Sequence, residues 1–340
     1  MNRAFALPLL LLATPAAAQT GELKSFGDWM VGCDNRLGCT AIGLSPDMAA
    51  VFAYLKVSRG AGAESGPIVK VTILDELGAG GTIELGFEGD TLPVTSLEAE
   101  ADDSSFASAE LGAVDHGAFL DALLPGETLD VTLGEETVPV SLAGLSAALR
   151  YMDAAQGRAG TQGALVAKGD RPADTIPSAP PPVVIDAQRL SEITEPGERP
   201  TGIEAPEEPC FNDAPDFVVE TEDGSRLWGV CVSAGAYNLS YEFWTITDGT
   251  VEPADFGPQG QGFSEDGNQR SVLVNPVLWE DGRTIGAFSR GRGLGDCGAI
   301  ARFALDSEGI QLVEETAMGE CRGVNPDDWP VLYRAELSTE

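Results

Sequence analysis

The chain has 340 residues, 43% of them hydrophobic, enough to pack globular cores. Its 54 Asp and Glu against 20 Lys and Arg leave a formal charge of −34, a field that repels phosphate backbones and anionic lipid headgroups. Nucleic acid and membrane surfaces are therefore disfavoured as partners, and acidity spread along the whole chain reads first as a solvated surface.

The N-terminus, MNRAFALPLLLLATPAAA, sets Arg3 before an apolar run from Ala4 to about Ala13, followed by Pro15 and Ala16-Ala17-Ala18. These are the charged region, apolar core and A-x-A site of a secretory signal over residues 1–18. The run is shorter than the about 20 apolar residues that span a bilayer, and no Cys follows it closely to carry a lipid. Cleavage after Ala18 is expected to leave a chain that is not inserted in a membrane. Its expected location is the Gram-negative periplasm, or the medium or cell surface beyond it.

Residues 19–170 are read as a β-rich domain. FGDWMVGC, GCTAIGL, VFAYLKVS, PIVKVTIL, TIELGF, TLDVTL and TVPV are short β-branched or aromatic runs punctuated by Gly, Pro and Asp. Two stretches differ. DHGAFLDALLPG, with Asp115 as N-cap, predicts a short helix. AGLSAALRYMDAAQG places Leu145, Ala148, Leu149 and Met152 on one helical face and stops at Gly157.

Five prolines in RPADTIPSAPPP predict a semi-rigid linker, taken as residues 171–190, and EPGERPTGIEAPEEP extends the irregular composition. Residues 191–340 again read as strands, among them RLWGVCVS, LSYEFWTI, SVLVNPVLW, TIGAFS, AIARFALD and IQLVEET. Turns are expected at Asp223-Gly224, Asp248-Gly249, Asp266-Gly267, Asp281-Gly282 and Ser307-Glu308-Gly309. The expected fold is mainly β: two antiparallel β-sandwich-like domains with a few short helices, joined by the Pro-rich linker.

The six cysteines of an exported chain imply disulfides. Their distribution suggests the local scheme, Cys33 with Cys39, Cys210 with Cys231 and Cys297 with Cys321. No C-x-x-C cluster suggests zinc.

GLGDCGAIARF contains a literal G-x-G-x-x-G from Gly293 to Gly298. A dinucleotide site needs a helix after that turn, whereas AIARFALD alternates and soon meets SEG and IQLVEE, as a hairpin does. His116, the one histidine, sits beside Asp115 in the first turn of the short helix, where an exposed or capping role is expected. Gly144-Leu145-Ser146-Ala147-Ala148 lacks the last glycine of a nucleophile elbow. No pattern marks a catalytic carboxylate pair; the runs EAEADD from Glu98 and NPDDW around Asp327 and Asp328 fit exposed loops. Glu265-Asp266-Gly267-Asn268 is a turn rather than a calcium loop. Most of Trp29, Trp228, Trp244, Trp279 and Trp329 are expected in cores. No catalytic residue, cofactor site or metal ligand is assigned.

Four stretches together carry a resemblance: FGDWMVGCDNRLGCTAIGL, GLSAALRYMDAAQGRAGT, GVCVSAGAYNLS, and GRGLGDCGAIARF through ECRGVNPDDWPVLYRA. They resemble an exported proteobacterial family known as domain of unknown function 1176. The F-G-D-W opening, its two cysteines and the G-x-x-x-A-L helix start are also similar to the invasion-associated locus B proteins, over the first domain alone. Those are periplasmic or surface-associated β-sandwich proteins without an established enzymatic activity. The resemblance implies export and two domains, supplies no catalytic residue, cofactor or partner, and makes Gly27, Asp28, Trp29, the cysteines, Arg158 and Gly160 look architectural. The expected function is a non-enzymatic binding or envelope-associated module for a protein or glycan of the cell envelope. A carboxylate-dependent glycan hydrolase and an inhibitor of cell-wall hydrolases are the alternatives.

Overall fold

The structure is a computed structural model that describes residues 20–46, 51–75, 78, 80–88, 92–101, 105–112, 116–204, 210, 214–257 and 271–339. The signal segment, Asp115, Asp266-Gly267 and the Glu265–Asn268 turn lie outside the described residues. Among the described residues the chain is mainly β, with two α-helices and several antiparallel sheets. Among the described residues, no helix is long and apolar enough to cross a membrane.

The first half supplies β1 (Lys24–Phe26), β2 (Trp29–Cys33), β3 (Cys39–Leu44), β4 (Ala53–Arg59), β5 (Pro67–Leu74), β6 (Gly81–Phe87), β7 (Ser96–Ala101), β8 (Phe106–Glu110), α1 (His116–Leu123), β9 (Thr128–Leu133), β10 (Glu136–Ser141) and α2 (Leu145–Ala155). Its strands form one sheet in the order β1-β2-β3-β4-β5-β8-β7-β6-β9-β10, antiparallel throughout. The sheet rolls back on itself. β10 packs across β3 and β4, and the Trp29 indole N–H donates to the Ser141 carbonyl at 2.9 Å. Inside the roll lie Trp29, Leu55, Val71, Ile83, Val131 and Val140, and α2 plugs it with the Leu145, Ala148, Leu149 and Met152 face that its spacing predicts.

Two readings of this half need correction. FGDWMVGC is not one strand: Phe26 ends β1, Gly27-Asp28 turn the chain, with Gly27 at a φ of 58° that L-residues disfavour, and Trp29–Cys33 form β2. EAEADD is in part a paired strand, β7, and not simply a loop; alternating small and acidic residues suit a sheet with one face to water.

The second half begins with β11 (Val184–Ile185) and continues with β12 (Leu190–Glu192), β13 (Phe217–Thr221), β14 (Arg226–Ala234), β15 (Leu239–Thr247), β16 (Thr250–Pro253), β17 (Val272–Val274), β18 (Val277–Leu278), β19 (Thr284–Arg290), β20 (Gly298–Asp306), β21 (Gly309–Met318), β22 (Val331–Arg334) and β23 (Glu336–Leu337). SVLVNPVLW is split into β17 and β18 by Asn275, at a φ of 47°, and the following Pro276. Strands β12 to β17 form one sheet and β18 to β22 another. The two sheets meet over Val219, Leu227, Phe243, Ile285 and Phe303, with Phe256 edge-on to Phe243 and Phe303 at 5.5 and 5.0 Å between centroids. The Pro-rich segment is held to this body, since its strand β11 pairs in parallel with β23.

The halves share a third core. Met30, Ile42, Leu44 and Tyr54, on the outer face of the rolled sheet, pack against Met318, Val324 and Trp329. That contact buries every residue of β2, which faces the roll on one side and the second half on the other. Ion pairs from Asp28 to Arg322, Asp34 to Arg334 and Arg36 to Glu336 flank the apolar seam.

Candidate functional site

The site is built where β4, β5 and β8 meet the second half. The register of β4 and β5 sets Tyr54 opposite Thr72 and Lys56 opposite Lys70, so two ammonium groups face each other on the outer surface of the sheet. Like charges placed so destabilise a strand pair unless an anion lies between them. Asp328 of the second half is that anion. Its Oδ1 accepts from Lys56 at 2.8 Å, Lys70 donates to both oxygens at 2.9 and 3.1 Å, and the Tyr54 hydroxyl donates to Oδ2 at 2.7 Å.

NPDDW is therefore no exposed loop: Asp328 is only 3% exposed. Asn325 caps the short 3-10 turn through the Asp327 N–H at 3.1 Å, and the Trp329 indole donates to the Val324 carbonyl at 3.1 Å. The turn thereby drives Asp328 into the seam. Burial pushes the Asp328 carboxyl up, but attraction to Lys56 and the hydrogen bonds from Lys56, Tyr54 and Lys70 reverse this and hold it below its ordinary value. Burial and the same carboxylate push the Tyr54 phenol far up.

Beside this cluster opens a cleft of about 630 Å³, lined among others by Phe52, Leu74, Phe106, Phe288, Arg290 and Leu294. Its first wall comes from the ends of β5 and β8 and from Phe52, just before β4. Its second is the β19–β20 loop, the glycine-rich stretch Gly293–Gly298. No helix follows that stretch; β20 and β21 form a hairpin. The loop is clamped onto the segment after β21 by the Cys297–Cys321 disulfide and by Asp296, whose carboxylate takes the Arg292 Nε–H at 2.7 Å and the Gly323 N–H at 2.7 Å. Burial pushes the Asp296 carboxyl up, yet Arg292 and Gly323 outweigh it and leave it low.

The walls of the cleft are braced from behind. Phe106 packs on Tyr54 at 6.3 Å and Phe288 on Trp329 at 5.8 Å. Arg290 lies over the Phe288 ring at 5.1 Å, and Arg292 over the Phe52 ring at 5.8 Å. Leu294, at the rim, is 74% exposed.

The remaining residues singled out in the sequence are placed elsewhere. Cys33 is bonded to Cys39 and Cys210 to Cys231. His116 neither caps a helix nor stands free; its Nδ1 accepts the Val69 N–H at 3.1 Å, which fixes α1 to β5. Arg158 is buried among the Gly60, Gly62 and Ser65 carbonyls, knitting the loop after β4 to the one after α2. Trp29, Trp228 and Trp329 are core residues, whereas Trp279 sits under Arg302 and Trp244 is half-buried. A second hollow, at the tips of the β6 and β9–β10 hairpins, is lined by Asp75, Glu84, Glu135 and Glu136. Among the described residues, no group of three or more His, Cys, Asp or Glu converges on a metal position.

Tyr54, Lys56, Lys70, Phe52, Phe106 and Arg290 were not singled out in the sequence. The usable signal was the outward lysine in each of two consecutive strands, which calls for an acid from elsewhere in the chain.

Fold and site together define a disulfide-stapled, mainly β protein that holds an aromatic cleft between its two halves. Residues 23–336 match the model of a family described as a protein of unknown function, DUF1176, and the chain belongs to that family. It is 28% identical over 350 residues to the uncharacterized protein YpfG of Escherichia coli strain K12, covering 97% of this chain and 96% of the relative. No solved structure matches the chain.

Proposed function

We propose that this chain is an exported, periplasmic binding module without catalytic activity, and that the cleft between its halves holds its ligand. The observation that carries the reading is the cleft itself, with aromatic walls, a disulfide-clamped rim and a volume of about 630 Å³, within the range of small-molecule sites. The alternative of glycan cleavage by carboxylates draws no support from the two buried acids at and beside the cleft. Asp296 and Asp328 are both held below their ordinary range, whereas that chemistry needs one carboxyl raised.

Export is supported by the N-terminal signal pattern and by three disulfides, which persist in oxidising compartments. The likeness of the F-G-D-W opening to the invasion-associated locus B proteins fits an envelope setting. N-terminal sequencing of the protein recovered from periplasm should start at Gln19; a chain retained in the cytosol with Met1 intact contradicts export. Binding is tested with the neutral fluorescent probe N-phenyl-1-naphthylamine. Saturable one-to-one uptake is expected, weakened by Leu294→Glu at the exposed rim. Non-saturable partitioning that is the same in both proteins contradicts the cleft as the site.

A further inference from the structure

We infer that the cleft takes a small organic carboxylate with an apolar body, the carboxylate being held by Arg290. This rests on the reading of the cleft as the binding site and specifies its ligand.

Arg290 stands apart from the arginines around it. Arg292 is paired with Asp296, Arg302 with Asp281 and Glu314, and Arg322 with Asp28 and Glu320. Arg290 makes no ion pair with any described carboxylate, and its Nε–H, shut off from solvent, has no hydrogen-bond partner. Arg302 also has an unpartnered buried Nε–H, but its other nitrogens are paired with Asp281 and Glu314, whereas the Arg290 guanidinium has neither a carboxylate nor a carbonyl partner among the described residues. An unmet buried donor is costly, and a carboxylate is the partner that a guanidinium matches best, through paired charge-assisted hydrogen bonds.

The position of Arg290 is also prepared. Its N–H donates to the Asn238 Oδ1 at 3.2 Å, its carbonyl accepts from the Asn238 Nδ2 at 3.0 Å, and its guanidinium rests on the Phe288 ring. Among the residues lining the cleft, Asp296 is already neutralised by Arg292. Among the described residues lining the cleft the remaining charge is thus positive, inside a molecule that is otherwise strongly negative. Phe52, Phe106, Phe288 and Leu294 supply the apolar walls. A cationic or phosphate-rich ligand does not suit this balance; one negative group on an apolar body does.

A free aryl or fatty acid and the carboxy terminus of a short apolar peptide present the same group. The test titrates the full mature chain, by calorimetry, with the near-isosteric series phenylbutyrate, phenylbutanol and phenylbutylamine, and with N-acetyl-Ala-Phe as acid and as amide. The acid should bind one-to-one and about tenfold more tightly than the alcohol, the scale of one charge-assisted hydrogen bond, with the amine weakest. Arg290→Gln should abolish the tenfold preference of acid over alcohol, with urea unfolding like that of the wild type reporting an intact fold; Arg290→Lys should keep part of the preference. A matching preference for the peptide acid over its amide assigns the peptide source; preference in the phenylbutyl series alone assigns the free acid. Equal binding of acid and alcohol, or a preference that survives Arg290→Gln, overturns the inference and leaves the cleft as a site. Binding of none of the five compounds overturns both.

Discussion

Asp328 belongs to one half of the chain, and the three groups that hold it, Tyr54, Lys56 and Lys70, belong to the other. Removing its charge leaves two lysines facing each other across β4 and β5. Asp328→Asn is expected to cost about 3 kcal/mol in urea unfolding at neutral pH, the lower end for a buried pair broken on one side, since the lysines retain some access to water. The pH dependence has a definite sign. The folded-state pKa of Asp328 is depressed, so its contribution is complete above the unfolded value of about 3.9 and is lost as pH falls through the folded value. The gap between wild type and Asp328→Asn should therefore close below about pH 4; a gap independent of pH contradicts the ion cluster. At this scale the sequence was least legible. NPDDW carries two acids on a turn, and nothing local distinguishes Asp328, which is buried, from Asp327, which is exposed.

The glycine-rich stretch shows what one element can be asked to do. A phosphate cradle would need all of its glycines for close approach of the ligand. Here they have unequal tasks. A Cβ on Gly298 would lie 2.0 Å from the Ser289 carbonyl oxygen, at a φ of 137°, whereas one on Gly293 would meet nothing nearer than Tyr237 Cδ1 at 3.7 Å. Gly298→Ala should cost about 3 kcal/mol in thermal or urea unfolding, and Gly293→Ala should stay within about 0.5 kcal/mol. Equal effects would show that the stretch serves something other than the start of a hairpin. The 24-residue separation of Cys297 and Cys321 implies about 3 kcal/mol for the double Cys→Ser variant, with looser probe binding because the rim of the cleft loses its clamp. Elements whose pattern is local were legible. The face of α2, the β20–β21 hairpin and the Asp-Gly turns at 223–224, 248–249 and 281–282 all follow from spacing and φ requirements. β2 was legible as a strand but not in its surroundings, since burial on both faces requires a second body.

Across the whole molecule, the rolled sheet and the paired sheets of the second half are joined by one apolar seam and a ring of ion pairs, and the cleft exists only where both contribute walls. The mainly β class was legible in alternation and turn chemistry. The seam was not, because its partners are separated by some 270 residues, as Tyr54 and Asp328 are, and no periodicity links them. A ligand in the cleft must therefore touch both halves at once. Hydrogen exchange followed by mass spectrometry, with and without saturating phenylbutyrate, tests this most directly. Slowed exchange is expected together in segments 52–54 and 105–107 of the first half and 288–296 and 322–326 of the second. Protection confined to one half, or absent from all four segments at saturation, would contradict a ligand site built between them.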